Sequence, residues 1–138
     1  EAGKYRLALK TPKDQIINVE YTRDKSKKKA AYKKSKAIHL KSDIDSIYTS
    51  TEKAARWYKV SVSSTKKRKA VTLSKDSVGG GFKFCVYQKG KRLKTVKVTK
   101  NDKVKTVKLP KKKGAYYVKV TKLTSKTTGA YYLGTYTY

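Results

Sequence analysis

Apolar and polar residues alternate along most of this chain with a period of two, which is the pattern of β-strands that bury one face. In no window do apolar residues recur at the 3.6-residue spacing of an amphipathic helix. The chain is therefore predicted to be all-β. The alternation predicts strands at 5–9, 16–21, 37–40, 44–48, 57–62, 70–74, 82–87, 93–98, 104–109, 115–120 and 130–136.

The spacing of these segments is typical of an antiparallel β-sandwich, for which we predict seven to nine strands. The best-defined hairpin pairs 82–87 with 93–98, because the loop between them contains Gly90. The stretch 23–36 is dense in lysine and is interpreted as a solvated loop or linker. We therefore expect one sandwich over 30–138, preceded over 1–29 by strand segments and a lysine-rich linker that belong to a preceding module.

The two-residue period assigns every side chain to one face of its strand. Members of the inner set, which should form the core, are Tyr58, Val60, Val62, Phe82, Phe84, Val86, Tyr116, Val118, Val120, Tyr131 and Leu133. The outer set combines aromatic rings with lysines and consists of Trp57, Lys59, Lys83, Tyr87, Tyr117, Lys119, Tyr132 and Tyr136. Sugar C–H groups stack on aromatic rings, and carboxylates or phosphates pair with ammonium groups. These eight residues are the candidate ligand-binding residues, although outward tyrosines are also common as purely structural cross-strand neighbours.

Lys and Arg number 37 against 9 Asp and Glu, which gives a formal charge of +28. Arginine occupies only five of the basic positions. The planar guanidinium of arginine suits bidentate recognition of phosphates and bases, whereas lysine is a hydrated point charge. The bias toward lysine favours diffuse attraction of polyanions over base-specific reading. The alternative is that lysine merely fills the solvent-facing positions.

Residues from which a catalytic or metal site could be built are few. His39 and Cys85 are the sole histidine and cysteine, so they supply neither a zinc-binding set nor an internal disulfide, and Cys85 is expected to be packed. Asp43 and Asp45 share one face of an extended segment, but surrounding lysines would depress their pKa values and oppose general-acid chemistry. The glycines at 79–81 lack the Lys-Ser/Thr of a phosphate-binding loop and are interpreted as a turn. We therefore predict no enzymatic activity, no catalytic residues, no metal and no cofactor, and the lack of a long apolar run predicts no membrane insertion.

Several of the predicted strands contain a recurring pattern of glycine and tyrosine residues. The sequence Gly-Ala-Tyr-Tyr occurs at 114–117 and again at 129–132. Over about residues 30–138 the chain resembles the bacterial pre-peptidase C-terminal domain, and the segments that carry the resemblance are 57–60, 82–91, 114–120 and 129–133. The resemblance implies a small, non-catalytic, jelly-roll-like sandwich appended to secreted enzymes and surface proteins and sometimes similar to carbohydrate-binding modules. Members of that family often have Asp-rich loops, an acidic surface and bound calcium, whereas this chain is rich in lysine. The resemblance therefore does not extend to calcium binding.

Three functions remain open at this point. The first is a secreted or cell-surface binding module that holds an acidic polysaccharide, such as a pectin-like uronan or a cell-wall polyanion. The second is a nucleic-acid-binding domain, which the charge and the interleaved aromatics favour but the scarcity of arginine opposes. The third is a ligand-free structural appendage of a secreted enzyme. The absence of methionine predicts that the chain is a piece of a longer, multidomain parent protein.

Overall fold

Nine β-strands account for most of the described structure. The computed structural model describes Ala8 and residues 30–41, 47–49, 55–76, 80–127 and 130–138. These residues contain one short 3₁₀ turn and no α-helix, which confirms the all-β prediction. The strands are β1 (Ile38–His39), β2 (Ile47–Thr49), β3 (Arg56–Val62), β4 (Lys69–Asp76), β5 (Phe82–Gln88), β6 (Lys91–Val98), β7 (Val104–Lys108), β8 (Gly114–Lys122) and β9 (Ala130–Thr137). Each corresponds to a strand predicted from the alternation, whereas the predicted strands at 5–9 and 16–21 lie outside the described residues, Ala8 excepted.

The strands form two sheets that pack face to face. One sheet has five strands in the order β1-β3-β8-β5-β6, and the other has four in the order β2-β9-β4-β7. Neighbouring strands are antiparallel except for β1, which pairs in parallel with β3. From β2 to β9 this order is that of an eight-stranded jelly roll. The predicted jelly-roll-like sandwich is therefore confirmed, with β1 added at one edge.

The core lies between the two sheets and contains the whole predicted inner set. Every one of those eleven side chains is at most 5% exposed. The two sheets are joined within the core by a hydrogen bond of 2.7 Å between the hydroxyl groups of Tyr58 on β3 and Tyr131 on β9. The ring of Phe82 packs edge-on against Tyr131, with 4.9 Å between the ring centroids. The inner positions are thus committed to packing between the two sheets.

The β5–β6 hairpin turns more tightly than the sequence predicts. Its strands extend to Gln88 and Lys91, which pair with each other and leave only Lys89 and Gly90 in the loop. Both loop residues have positive φ, 47° and 80°, as a type I′ turn requires. The right-handed twist of the paired strands favours this turn, and the predicted five-residue loop from 88 to 92 is corrected to two residues.

A buried threonine anchors the start of β5. Thr127 is fully buried, and its hydroxyl donates to the carbonyl of Gly81 at 3.0 Å. A Cβ at Gly81 would lie 2.0 Å from the carbonyl oxygen of Val98, and Gly80 has a φ of +73°. Glycines are therefore required at these two positions by backbone conformation and by close approach, while Gly79, the first residue of the predicted turn, lies outside the described residues.

Candidate functional site

Six of the eight candidate residues meet on the outer face of the five-stranded sheet. They come in pairs from three adjacent strands: Trp57 and Lys59 from β3, Tyr117 and Lys119 from β8, and Lys83 and Tyr87 from β5. The register sets Lys59, Tyr117 and Tyr87 in one row across the strands, and Trp57, Lys119 and Cys85 in the next. All six side chains are half-buried. We call this surface the lysine–aromatic face.

The other two candidates do not belong to this surface. Tyr132 and Tyr136 lie on β9, in the four-stranded sheet. The outer face of that sheet is on the opposite side of the sandwich from the lysine–aromatic face. Both do point outward, because their neighbours Tyr131, Leu133 and Thr135 are buried. Alternation alone placed all eight residues on one outer surface, and the structure corrects this, since the order of strands decides to which sheet an outward residue belongs.

Two rings of the lysine–aromatic face touch across β8. The centroids of Trp57 and Tyr87 are 5.5 Å apart and their planes are tilted by 44°. Cys85 also points outward, yet it is only 6% exposed, and its Sγ lies 3.4 Å from Oγ1 of Thr95. Burial, with a smaller contribution from Cys85, raises the pKa of Tyr87 above its ordinary value. The Tyr87 phenol therefore stays neutral at physiological pH, and the thiol is packed as expected.

Ammonium groups lie over the faces of two of the rings. The Nζ of Lys119 is 5.5 Å from the centroid of Trp57, and the Nζ of Lys34 is 4.7 Å from the centroid of Tyr117. Both distances fall within the range of cation–π interaction. These contacts mean that cations of the same chain already lie over the rings of Trp57 and Tyr117, whereas the ring of Tyr87 contacts that of Trp57.

Lys34 is a member of the site that sequence reasoning missed. It starts the 3₁₀ turn Lys34–Lys36, within a stretch that its lysine content predicted to be a solvated linker. The segment is instead held against the sheet, because the amide of Trp57 donates to the carbonyl of Ala31 at 2.8 Å and Ala31 is buried. Only the Ala30-Ala31-Tyr32 sequence inside the lysine run hinted at packing.

The adjacent edge strand β6 adds two further cations. Arg92 pairs with Tyr87, and Lys97 pairs with Lys83 across the β5–β6 ladder. Residues directly opposite each other in a ladder project from the same face of the sheet. The alternation within β6 is too lysine-rich to reveal its faces, so these residues could be assigned to the site only from the register.

The described carboxylates do not neutralise this face. Between 55 and 138 there are 23 Lys and Arg but only two acidic residues, Asp76 and Asp102, a formal charge of +21. Asp102 is engaged elsewhere, since its carboxylate pairs with Lys105 at 2.7 Å and accepts hydrogen bonds from the amide and hydroxyl of Thr99. The bonds from Lys105 and Thr99 hold the pKa of Asp102 well below its usual range. Within the described residues, Lys34 and Lys119 therefore have aromatic π-faces as their negative electrostatic partners.

The sole histidine has a partner that the sequence did not predict. Nε2 of His39 lies 3.1 Å from Oγ of Ser61, on the edge where β1 meets β3. In a catalytic pair the imidazole is oriented by a third group at Nδ1. No described hydrogen bond joins a carboxylate to His39, and the pair serves to tie the two strands together.

Among the described residues, no group of three or more His, Cys, Asp and Glu could hold a metal ion. Asp43 and Asp45 fall outside the described residues. No helix in the described part of the chain is long and apolar enough to cross a membrane.

No protein-family model matches the chain, and no curated protein matches it either. The resemblance to the pre-peptidase C-terminal domain therefore rests on the sequence pattern that suggested it.

Proposed function

We propose that this protein is a non-catalytic binding module that holds an acidic polysaccharide, such as a uronan or a cell-wall polyanion, on the lysine–aromatic face. The observation that carries the proposal is the placement of ammonium groups directly on aromatic rings, at Lys34 over Tyr117 and at Lys119 over Trp57. In this proposal the module belongs to a secreted or cell-surface protein, where such polymers are encountered.

The contacts of the face favour an acidic sugar over a neutral one. A sugar ring that stacks on Tyr117 must displace the ammonium of Lys34, which ends a cation–π contact worth about 0.5–1 kcal/mol at an exposed site. A carboxylate on the same polymer then pairs with the released ammonium and offsets that loss. A neutral sugar offers no such compensation, so the rings and lysines together select for negative charge.

The composition of the face favours a polysaccharide over nucleic acid. Its cations are five lysines, Lys34, Lys59, Lys83, Lys97 and Lys119, and one arginine, Arg92. Arginine is the residue that recognises phosphate and bases bidentately, whereas lysine suits diffuse or single-point charge pairing. Because bases also stack on aromatic rings, nucleic acid is kept as an explicit outcome of the test.

The charge contribution can be tested with a matched pair of triple variants. Replacing Lys59, Lys83 and Lys119 with glutamine removes three charges from the face, and replacing Lys66, Lys67 and Lys111 removes three from exposed loops. Binding of polygalacturonate should weaken much more in the first variant. By analogy with single-stranded nucleic acid, the slope of log K against log salt should also fall by about two. Calorimetry at several NaCl concentrations measures both quantities.

The aromatic contribution should separate from the charge contribution. Tyr87→Ala should weaken polygalacturonate binding by about 1–3 kcal/mol, taking base–aromatic stacking as the analogue, and should leave the salt slope unchanged. Tyr136→Ala on the opposite sheet is the control and should bind as the wild type does. Trp57→Ala is informative only if its thermal unfolding matches that of the wild type, since this ring also packs against Tyr87.

Three results would overturn the proposal in different ways. Equal binding of polygalacturonate, heparin and oligo(dT), abolished by about 0.5 M salt and insensitive to Tyr87→Ala, indicates a generic cation field. Tight binding of oligo(dT) alone, sensitive to Tyr87→Ala, indicates nucleic-acid binding. Absence of binding to every polymer at low salt leaves the structural-appendage function as the explanation.

A further inference from the structure

A cleft lies between the edges of the two sheets, where β6 faces β7. Each of these strands ends its own sheet, and within the described residues β6 pairs only with β5, and β7 only with β4. The cleft has a volume of about 370 Å³. Ligand pockets in proteins occupy about 300–1,000 Å³, so the space is sufficient for a small molecule. We call it the edge cleft, and it is bounded by Leu93 and Lys94 on β6, Val107 on β7, and Leu109 and Pro110 after β7.

The walls of the edge cleft are aliphatic. Its base is formed by Val86, Val107 and Leu109, which belong to the core and have exposures of 1%, 7% and 3%. Leu93 is 43% exposed and lies at the mouth, together with Pro110. No aromatic ring is among the described residues that line the cleft. Its chemistry therefore suits an alkyl chain, whereas the stacking of a sugar needs a ring.

A β-bulge in β6 accounts for the exposure of Leu93. Val86 pairs with Lys94, whereas the next residue of β5, Tyr87, pairs with Arg92. Leu93 is thus an extra residue on β6, and a bulge of this kind bends its strand away from regular pairing. An aliphatic side chain stands at the mouth of the cleft as a result.

Lys94 projects toward the inner side of its sheet, where the cleft opens. It pairs with Val86, a core residue, and residues directly opposite each other in a ladder project from the same face. Lys105 has the corresponding inward position on β7, since it pairs with the buried Leu73. The ammonium of Lys105 is neutralised by Asp102 at 2.7 Å, whereas that of Lys94 makes no ion pair or hydrogen bond with any described residue.

The other lysine that lines the cleft has its charge engaged elsewhere. The Nζ of Lys108 lies 5.2 Å from the ring centroid of Tyr138, within the range of cation–π interaction. Lys94 is therefore the cation that remains available to a ligand in the edge cleft.

We infer that the edge cleft binds an aliphatic carboxylate, which is a single alkyl chain with a carboxylate at one end. The alkyl chain packs against the aliphatic walls, and the carboxylate pairs with the ammonium of Lys94 at the mouth. The net charge of +28 attracts the anion to the protein and repels a cationic amphiphile. The inference does not depend on the proposed function, because the edge cleft shares no residue with the lysine–aromatic face.

An added peptide strand fits this edge less well than an alkyl chain does. Bulges and lysines on an edge strand hinder its pairing with a further strand. β6 has both features, since it contains a bulge and four cationic residues: Lys91, Arg92, Lys94 and Lys97. An alkyl chain needs no backbone partner, so neither feature prevents its entry into the cleft.

Calorimetry with butanoate, hexanoate, octanoate and decanoate at physiological salt tests the alkyl contribution. Burial of one methylene is worth about 0.8 kcal/mol, so each added pair of methylenes should raise the affinity by up to about fifteen-fold until the cleft is full. The affinity should then stop increasing, because further methylenes remain in water. Equal affinity of all four carboxylates would show that only their charge is recognised and would overturn the inference.

The charge contribution is tested with Lys94→Gln and two ligands of the same chain length. The variant should bind octanoate up to about five-fold more weakly, which is the effect of losing an exposed ion pair. It should bind octan-1-ol, which has no charge, as tightly as the wild type does. Lys126→Gln removes the same charge from an exposed loop and should change neither affinity.

The aliphatic wall is tested with Leu93→Ser. This variant should bind octanoate and octan-1-ol about five- to ten-fold more weakly, because it removes apolar surface at the mouth. Val104→Ser is the control, since Val104 is an exposed apolar residue of β7, 51% exposed, that does not line the cleft. Circular dichroism and thermal unfolding show whether each variant is folded as the wild type is.

The position of the ligand can be read from amide chemical shifts. Octanoate should shift the amides of Leu93, Lys94 and Val107. Shifts confined to Tyr87 and Tyr117 would assign the ligand to the lysine–aromatic face and overturn the inference. Unchanged octanoate binding in either Lys94→Gln or Leu93→Ser would also overturn it, and Lys94 would then serve only to protect the edge strand. None of these outcomes alters the polygalacturonate test, which concerns a different surface.

Discussion

Replacing Lys119 with glutamine removes the cation at the centre of the lysine–aromatic face, and two opposing effects decide what happens to stability. The ammonium lies 5.5 Å from the centroid of Trp57, so the variant loses a cation–π contact worth about 0.5–1 kcal/mol. Lys59 and Lys83 are its diagonal neighbours in the register, at the roughly 7–8 Å typical of such pairs. The variant therefore also relieves two like-charge repulsions.

The magnitude of the repulsion depends on salt. Two unit charges about 8 Å apart repel by about 0.5 kcal/mol in water. Screening reduces this to about 0.2 kcal/mol at physiological ionic strength and to about 0.4 kcal/mol at 0.01 M salt, where the Debye length is about 30 Å. For two neighbours, the relief is about 0.4 kcal/mol at physiological salt and about 0.8 kcal/mol at low salt. Lys119→Gln should thus destabilise the fold by about 0.1–0.6 kcal/mol in the first condition and leave it nearly unchanged in the second.

Urea denaturation at 10 mM and 150 mM NaCl measures this difference, because urea does not alter ionic strength. Lys119→Arg is the control, since it keeps both the charge and the cation–π contact, and its effect should not depend on salt. A loss of more than about 1.5 kcal/mol at both salt concentrations would show that Lys119 acts through packing of its alkyl chain. A destabilisation that is greater at low salt would refute the repulsion argument.

Three further predictions concern the framework of the sandwich. Lys89→Asn should raise the free energy of unfolding in urea by about 0.5–1 kcal/mol, because asparagine adopts the positive φ of the type I′ turn more readily than lysine; a decrease would argue against that turn. Tyr58→Phe should lower the free energy of unfolding by about 1 kcal/mol, because it removes the buried hydrogen bond between the sheets. Tyr117→Phe on the outer face should change the free energy of unfolding by less than half as much. Equal effects of the two substitutions would contradict the role of that bond. Asp102 has a pKa below the unfolded value of 3.8. Its contribution to the free energy of unfolding is therefore present above about pH 4 and is lost as the pH falls further. Thermal unfolding should therefore show Asp102→Asn less stable than the wild type at pH 6, with the difference narrowing at pH 3, and a constant difference would be inconsistent with linkage to this carboxyl group.

The alternation of residue types determined the strands and the division of their side chains into inner and outer sets. This succeeded because a period of two is a local property: once Phe82, Phe84 and Val86 are placed inward, Lys83 and Tyr87 must face outward. The same reasoning was weakest where lysine fills both faces of a strand, as in β6, or where a turn contains an unusual conformation, as at Lys89. In those places the residue types no longer distinguish one backbone arrangement from another.

Only the tertiary structure decided which outward residues share a surface. Tyr117 and Tyr132 each follow an inward tyrosine in the same Gly-Ala-Tyr-Tyr sequence, yet β8 and β9 enter opposite sheets, so the two rings point to opposite sides of the molecule. The contact of Lys34 with Tyr117 joins residues far apart along the chain and depends on how the segment before β1 packs against β3. Strand order and register arise from the packing of whole sheets around one core, and no local pattern contains that information.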